Sequence, residues 1–471
     1  MLFDTPVYFV FLCVVTLLYW SFKHRQQNIL LLAASYAFYG WWDARFLTLI
    51  AVSTTVDYYC ARAIHGTDDA RRRRLLLALS ITVNLTFLGV FKYFNFFADS
   101  LAVALQTLGF NDVPSVALRI LLPPGISFYT FQEIAYIVDV YNRRLKPSDS
   151  LLDYALFISL FPHLVAGPIQ RPSHLLPQVQ TPRSFRADAF FNGIVLILSG
   201  LFRKCVVADN CALIANAAFG GQLGEPSLAV VALGTYAFAW QIYGDFSGYS
   251  DIARGSAQLL GFHFMINFRQ PYLAANLKDF WRRWHVSLST WLRDYLYIPL
   301  GGSREGEAKT HRNLLTTMLL GGLWHGANWT FVIWGALHGA ALSLGRLLEL
   351  RSFARAAQPS SLGLWARRIA TFHLVCLTWI FFRAASVGEA LRFISGLKTL
   401  AWRPEFFTAF TLLAFFTIPL FLVDLFLEHR GEEYPLAAAL EPYRVAVAFG
   451  FLAAVTLLSG NQINAFIYFQ F

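Results

Sequence analysis

Residues Phe406–Leu427 read FFTAFTLLAFFTIPLFLVDLFL, an apolar run in which Asp424 is the only charged residue. A helix needs roughly 20 apolar residues to cross the hydrocarbon core of a bilayer. The run is therefore long enough to cross a membrane, and its composition is atypical of a water-soluble domain. This stretch indicates a membrane protein and decides the fold class.

The rest of the chain has the same character. Of its 471 residues, 56% are hydrophobic and 14% are charged, whereas a soluble domain carries about a quarter charged residues. The other clear apolar runs are Pro6–Phe22, Leu75–Phe91, Ala189–Phe202, Ser227–Tyr243, Ile369–Phe382 and Val445–Leu458. Weaker or interrupted runs are Asn28–Phe38, Phe46–Cys60, Leu121–Tyr141, Leu151–Ile169 and Asn313–Leu347. We predict an all-α, polytopic membrane protein, a single domain over residues 1–471, with about eleven transmembrane helices plus re-entrant and interfacial helices.

The basic residues predict the orientation of the chain. Lys and Arg number 38 against 28 Asp and Glu, which gives a net charge of +10. In a soluble protein this excess would suggest nucleic acid, but in a polytopic protein basic residues gather on cytoplasmic loops. The basic clusters follow the first, third and fifth apolar runs, at Lys23 and Arg25, Arg71 to Arg74, and Arg143 to Lys146. Placing these loops in the cytoplasm puts the N-terminus outside, and no nucleic-acid partner is predicted.

The segment Leu319–Ser343 contains polar residues where a span should be apolar. It reads LLGGLWHGANWTFVIWGALHGAALS. Ionisable groups inside a span are costly and usually mark a functional pathway. We predict one helix in which His325 and Asn328, three positions apart, share a face that Trp324 adjoins. A buried, neutral imidazole at His325 is suited to be a general base; the alternative is a histidine that only packs between helices, which is the preferred interpretation of His338.

Two further segments are polar. Asn267–Asn313 is too basic to span and is predicted to lie at the cytoplasmic face, with a helix over Asp279–Tyr297. Tyr243–Asp251 reads YGDFSGYSD, and we predict that Asp251 caps a helix that follows it. For Asp245, a role near the site and a purely structural role remain open. The five cysteines form no CxxC pair, and no metal site is predicted.

Several of these segments, taken together, resemble the membrane-bound O-acyltransferase family, and within it the bacterial branch that acetylates exopolysaccharides. The matching stretches are LLPPGISFYTFQEIAYIVDVY (Leu121–Tyr141), LFPHLVAGPIQRP (Leu160–Pro172), DFSGYSDIA (Asp245–Ala253), NFRQPYLAANLKDFWRRWHVSLSTWLRDYLYIPLGG (Asn267–Gly302), RNLLTTMLLGGLWHGANWTFVIWGALHG (Arg312–Gly339) and FIYFQF (Phe466–Phe471). The resemblance runs from the first span to the last residue.

The resemblance implies a fold and a reaction. The family's fold is a ring of tilted helices around a thin centre that a tunnel crosses. His325 matches the family's invariant histidine, and His285 matches its second polar residue upstream. We expect His325 to deprotonate an acceptor hydroxyl that attacks a thioester, and His285 to orient the acyl group or stabilise the oxyanion. The expected location is the bacterial inner membrane.

The predicted acyl donor is acetyl-CoA, a substrate rather than a bound cofactor. Arg282 and Arg283 are candidates to pair with its phosphates, and Trp281 or Trp284 to stack on its base. The other predicted partners are membrane lipids and the acceptor. That acceptor is an exopolysaccharide, alginate or cellulose, or a periplasmic acetyltransferase or carrier protein that passes the acetyl group on.

Two alternatives remain open. The first is transfer of D-alanine or another acyl group from a carrier protein to a cell-wall polymer. The second is a transporter or channel, since polar residues and broken helices also line transport pathways. No inverted repeat is evident in the sequence, which counts against transport.

Overall fold

The computed structural model describes residues 1–110, 118, 121–165, 167–351, 360–432, 441–460 and 466–467. Over these residues the chain consists of helices, turns and loops, with no β-strand. The all-α prediction is therefore confirmed for the described part of the chain. Residues 468–471 of the predicted terminal motif lie outside it.

The first compact unit comprises Met1–Gly193 and Ser256–Met265. Its helices are α1 (Pro6–Trp20), α2 (His24–Gly40), α3 (Phe46–His65), α4 (Ala70–Leu88), α5 (Phe94–Thr107), α6 (Ile126–Tyr141), α7 (Leu151–Ser159), α8 (Phe161–Leu164) and α9 (Pro172–Gln180). A π-helical turn, Gly89–Tyr93, joins α4 to α5. Within this unit, α3 packs against α4, α6 and α7.

The second compact unit comprises Ile194–Gly255 and Ile266–Phe471. It contains most of α10 (Ala187–Leu201), α11 (Asp209–Phe219), most of α12 (Leu228–Leu259), α13 (Leu277–Arg283), α14 (Val286–Leu292), α15 (Glu307–His325), α16 (Trp329–Arg351), α17 (Ser361–Arg383), α18 (Val387–Ser395), α19 (Pro404–Arg430) and α20 (Glu441–Leu458). π-Helical segments lie at Phe202–Ala208 and Arg293–Tyr297. Short 3₁₀ turns lie at Pro271–Leu273 and Gly396–Lys398.

Several helices are long and apolar enough to cross a bilayer. Among the described residues, four stretches meet both criteria: Ala70–Thr107, Ala187–Phe219, Trp329–Leu348 and Pro404–Arg430. Two shorter apolar helices are Pro6–Trp20 and Pro442–Leu458. The opening run Phe406–Leu427 lies within α19, as its composition predicts. The chain is thus a multi-pass membrane protein, and the figure of about eleven spans stays a prediction.

The predicted helix start at Asp251 is wrong. α12 is continuous over Leu228–Leu259, so Asp251 lies in its interior. Its carboxylate pairs there with Arg203 at 3.5 Å and with Arg254 at 3.6 Å. Because neighbouring cations balance its charge, this residue is tolerated within an otherwise apolar helix and has no capping role.

The prediction of one helix over Leu319–Ser343 is also wrong. α15 ends at His325, α16 begins at Trp329, and Gly326 between them has extended backbone (ψ 148°). The two helices fold back on one another with their backbones in close contact. A Cβ atom at Gly322 would collide with the carbonyl group of Phe331, and one at Gly335 with the carbonyl group of Met318. The glycines of this stretch therefore serve helix packing.

Gly322→Ala is expected to destabilise the α15–α16 pair by about 1–3 kcal/mol, because the added methyl meets backbone that cannot move aside. The measurement is the apparent Tm of the purified protein in detergent, followed by tryptophan fluorescence. Gly345→Ala is the matched control in α16, since nothing lies within 4 Å of its Cβ position. A helical alanine there should leave Tm unchanged or raise it, and equal losses in the two variants would contradict the packing argument.

Candidate active site

His325 is the last residue of α15 and lies in a shell of aromatic rings. Its side chain is buried, with 2% of the residue exposed. The centroid of its imidazole lies 5.1 Å from Trp324, 5.2 Å from Trp334 and 5.3 Å from Phe382. All three rings meet the imidazole edge to face, the geometry that aromatic pairs prefer. The helix break and this shell fix the position of His325.

His285 lies next to His325. The predicted helix over Asp279–Tyr297 is interrupted there, because α13 ends at Arg283 and α14 begins at Val286. His285 itself adopts a left-handed backbone conformation with φ 44°, which costs a non-glycine residue about 1–3 kcal/mol. It is fully buried, and its ring centroid lies 6.3 Å from that of His325. The structure thus brings the two predicted catalytic histidines together.

Backbone hydrogen bonds maintain the strained turn at His285. The N–H of Val286 donates to the carbonyl of Asn267 at 2.9 Å, and the N–H of Arg269 donates to the carbonyl of Arg283 at 2.9 Å. The non-helical segment around Asn267 is therefore hydrogen-bonded to both sides of the turn. These contacts offset the conformational cost and keep His285 pointing toward the site.

Asn267 also fixes the tautomer of His285. Its Oδ1 accepts from the hydroxyl of Ser287 at 2.9 Å and from the Ser287 N–H at 3.3 Å, while its Nδ2 donates to Ser250 at 3.2 Å. This orientation of the amide requires that His285 Nδ1, 3.1 Å away, donates to Oδ1. Burial lowers the pKa of His285 to about 3, so the ring is neutral and its Nε2 carries the lone pair.

An oxyanion needs hydrogen-bond donors, and Nε2 in this tautomer is an acceptor. The expected oxyanion role of His285 therefore does not fit the hydrogen bonds. A ring nitrogen lies only about 1.1 Å from its centroid, so the nearest nitrogens of the two histidines are at least about 4 Å apart, too far for a direct hydrogen bond.

The other residues predicted around His325 differ in position. Trp324 is buried and packs on both histidines, 5.8 Å from His285 by centroid. Asn328 lies beyond the helix break, so the predicted shared face with His325 is wrong. Its Oδ1 accepts from the Thr330 N–H and its Nδ2 donates to the Ala385 carbonyl, both at 3.0 Å. Asn328 therefore caps α16 instead of facing the imidazole.

His338 has a packing environment, as predicted. Its Nε2 lies 2.9 Å from the hydroxyl of Thr378, and its ring packs against Trp334 and Trp281. Trp281 is half-buried. Its ring lies between α13 and α16 instead of projecting freely from the surface.

Trp284 and Arg283 have structural positions that sequence alone did not indicate. Trp284 is fully buried among aromatic rings, with centroids 5.0 Å from Trp379 and 5.6 Å from Phe280. No face of it is open to a nucleotide base, so its predicted stacking role is contradicted. Arg283 pairs with Asp279 at 2.9 Å and with Glu428 at 2.7 Å. Its charge is therefore already balanced within the protein.

Arg282 is the predicted phosphate ligand that remains exposed. It lines a surface cavity of about 400 Å³ between α13 and the end of α19, together with Ile266, Phe268, Arg269, Gln270, Asp279, Arg283, Leu427, Glu428, Gly431 and Glu432. Among the described residues, no side chain forms an ion pair with Arg282. It is thus the better of the two arginines for binding an anionic ligand.

Asp245 joins two parts of the second unit. Its carboxylate forms an ion pair with Lys204 Nζ at 2.9 Å and accepts a hydrogen bond from the backbone N–H of Ile467 at 2.6 Å. Phe466 packs on Tyr249 and Phe246, and Phe246 packs edge-on against the ring of His285 at 4.6 Å. Asp245 therefore anchors Ile467 beside the candidate site, and a role in substrate binding stays a prediction.

Sequence reasoning missed Asn267 and the pair Arg203 and Lys204. Asn267 gives no local signal, because its role depends on a turn 18 residues away in sequence. Arg203 and Lys204 did give a local signal in the sequence. They lie within an apolar stretch, where a charged side chain needs a buried partner. Arg203 pairs with Asp424 at 3.5 Å, and Lys204 with Asp209 at 2.8 Å.

Comparisons with known proteins identify the family of the chain. The sequence profile of the MBOAT, membrane-bound O-acyltransferase family, matches residues 75–387. The probable alginate O-acetylase of Azotobacter vinelandii is 39% identical over 513 residues, covering all of both chains. The peptidoglycan O-acetyltransferase of Helicobacter pylori is 37% identical, covering 84% of this chain and 80% of its own. The teichoic acid D-alanyltransferase of Bacillus subtilis is 28% identical, covering 55% and 68%.

A buried histidine pair in a multi-pass helical protein, together with these matches, defines the class: the chain belongs to the membrane-bound O-acyltransferase family. Within that family it belongs to the alginate O-acetyltransferase branch. The resemblance seen in the motifs is confirmed, and the protein is an O-acyltransferase.

Asn267→Ala is expected to lower kcat for acyl transfer by about tenfold or more with little change in KM, since one buried hydrogen bond is worth about 1–3 kcal/mol. The loss frees His285 to adopt the other tautomer. Steady-state kinetics on purified protein provide the measurement. Ser287→Ala is the control, because it removes a different donor to the same Oδ1 and leaves the contact with His285. A Ser287→Ala variant as impaired as Asn267→Ala would indicate a general packing defect.

Proposed function

We propose that the protein is an inner-membrane O-acetyltransferase that moves an acetyl group from cytoplasmic acetyl-CoA to an exopolysaccharide, alginate or cellulose. The transfer is direct or passes through a periplasmic carrier or acetyltransferase. The full-length similarity to an alginate O-acetylase supports the substrate class. The observation that carries the chemistry is the buried pair His325 and His285, with ring centroids 6.3 Å apart.

In the proposed reaction the acceptor hydroxyl lies between the two imidazoles. His325 takes the hydroxyl proton while the oxygen attacks the thioester carbonyl carbon. The carbon–sulfur bond then breaks, and the proton passes from His325 to the departing thiolate of coenzyme A. The products are an acetyl ester and free coenzyme A, and His325 returns to its neutral form.

His285 is proposed to orient the acceptor and to take no part in stabilising the oxyanion. Its Nε2 lone pair accepts a hydrogen bond from a second donor group of the acceptor, because Asn267 holds the other nitrogen as a donor; the proton of the reacting hydroxyl stays available to His325. This holds the hydroxyl close to His325 before proton transfer. Such positioning of a reactant contributes to rate by lowering the entropy lost on reaching the transition state.

The donor is proposed to contact the cytoplasmic side of α13. Arg282 is exposed at the 400 Å³ cavity and is suited to a phosphate of coenzyme A. We further propose the family's architecture of about eleven spans around a central tunnel, so that the donor reaches the histidines from inside the cell and the acceptor from outside. The four long apolar stretches and two shorter ones support this topology.

Two other functions are less well supported. D-alanine transfer is the activity in the name of the Bacillus subtilis relative, whose similarity is lower and covers only 55% of this chain. Free acetyl-CoA would be ignored by a carrier-dependent enzyme of that kind. A transporter without chemistry is disfavoured by membership in an acyltransferase family.

His325→Ala is expected to lower polymer acetylation by about 10²–10⁴-fold, the usual contribution of a general base. The assay is the acetyl content of polymer from cells that carry the variant, with membrane insertion checked by detergent gel filtration. His338→Asn is the matched control, since it alters another buried histidine of the same helix pair and preserves a polar partner for Thr378. Full acetylation by His325→Ala would exclude the assigned base.

Arg282→Ala is expected to raise KM for acetyl-CoA by about tenfold, the loss of one charge-assisted hydrogen bond, while kcat at saturating donor stays close to wild type. Arg304→Ala is the control, because it removes an exposed charge from the same basic segment outside the cavity. Release of coenzyme A by purified protein gives both constants. An unchanged KM in Arg282→Ala would remove this residue from the donor site.

A further inference from the structure

The first compact unit contains two buried carboxylates that the proposed reaction does not use. Asp57 belongs to α3 and Glu133 to α6, two helices that pack against one another. Both residues are 0% exposed. Acidic groups buried among apolar helices are rare, and they usually mark an ion, a proton or a substrate pathway.

Hydroxyl and amide donors surround both carboxylates. Glu133 Oε1 accepts from the hydroxyls of Ser53 at 2.9 Å and Thr54 at 3.1 Å. Asp57 Oδ1 accepts from Ser80 at 2.6 Å, and its Oδ2 from the amide of Asn84 at 3.0 Å. Ser53 and Thr54 lie one helical turn before Asp57, so Glu133 of α6 is hydrogen-bonded to the same stretch of α3 that carries Asp57.

In the described part of the chain, the charge of these acidic groups is not matched by a basic side chain. Among the described residues, no Lys, Arg or His forms an ion pair or hydrogen bond with Asp57 or Glu133. An isolated ionised carboxylate is very costly to bury in an apolar medium. The two groups also repel one another when both are charged. Among the described residues, their charge is therefore left to a proton or to an ion from solution.

Four buried side-chain oxygens of this unit have unused capacity to bind a donor or a cation. Glu133 Oε2, Asn84 Oδ1, Thr130 Oγ1 and the phenol oxygen of Tyr154 have no hydrogen-bond partner among the described residues, and all four side chains are 0% exposed. Thr130 lies one turn before Glu133 on the same face of α6. Tyr154 comes from α7 and lies within electrostatic reach of both carboxylates. The helices α4, α6 and α7, which pack around the two acidic groups, thus each contribute a buried oxygen without a hydrogen-bond partner among the described residues.

We propose that Asp57 and Glu133 form a binding site for a small, hard cation, held by their carboxylates together with oxygens of Asn84, Thr130 and Tyr154. Oxygen-only ligands select sodium or calcium over softer metals. Calcium balances both carboxylates by itself, whereas sodium balances one and leaves the other protonated. The bound ion would join α3, α4, α6 and α7, so its role is to stabilise this unit, separately from acyl transfer.

The test is the apparent Tm of purified full-length protein, titrated at constant ionic strength and pH with NaCl, CaCl₂, KCl or choline chloride. We expect a saturable rise of about 2 °C or more with sodium or with calcium, because a ligand that binds only the folded state stabilises it. Choline should give no rise. Whichever salt acts at the lower concentration identifies the ion.

Glu133→Gln and Asp57→Asn keep the side-chain shape and remove the charge, so both variants should fold and lose the salt-dependent rise. Asp153→Asn is the matched control, since this carboxylate of α7 already has a partner in Asn28 at 2.9 Å; it should retain the rise. A Tm that no cation raises above choline, or a rise that survives in both variants, would overturn the proposal. A Tm that depends on pH alone in the wild type would also overturn it and assign the pair to protons. None of these readouts depends on acetylation.

Discussion

The break between α15 and α16 determines where the imidazole of His325 can lie. If the helix continued through residues 326–328, His325 would lie in the middle of a regular helix. The break makes it a terminal residue, and non-helical backbone within a membrane protein persists only where other groups satisfy it. Asn328 satisfies two of these backbone groups. Its Oδ1 accepts from the N–H of Thr330, and its Nδ2 donates to the carbonyl of Ala385. The close contacts at Gly322 and Gly335 hold the two helices against each other on either side.

Buried charge is handled differently in the two compact units. In the second unit, Arg203 and Lys204 lie in a π-helical segment and are matched by the carboxylates of Asp424, Asp251, Asp245 and Asp209. This network ties α11, α12 and α19 to the segment that carries the cations. In the first unit, Asp57 and Glu133 have hydroxyl and amide donors, but no basic side chain of the described residues pairs with them. One unit therefore carries its own counter-ions, and the other is proposed to take one from solution.

Sequence patterns predicted the parts of the molecule that depend on local composition. Apolar runs located the long helices, and the cost of an ionisable side chain in such a run singled out His325. They did not locate the break at Gly326, because glycine permits a helix, a break or a close helix contact equally well. Trp281 and Trp284 lie three residues apart, yet one is half-buried and the other is fully enclosed by Trp379 and its neighbours. Asn267 was missed for the same reason: its function arises only when distant segments meet.

The aromatic rings around His325 also bear on which nucleophile reacts. Water is far more abundant than any sugar hydroxyl, and a general base open to solvent would activate it just as well. The outcome would be futile hydrolysis of the thioester, at the expense of the cell's acetyl supply. Trp324, Trp334 and Phe382 leave little room for loosely held water beside the imidazole. A hydroxyl on a larger molecule binds through contacts of its own. It is therefore favoured over water as the nucleophile.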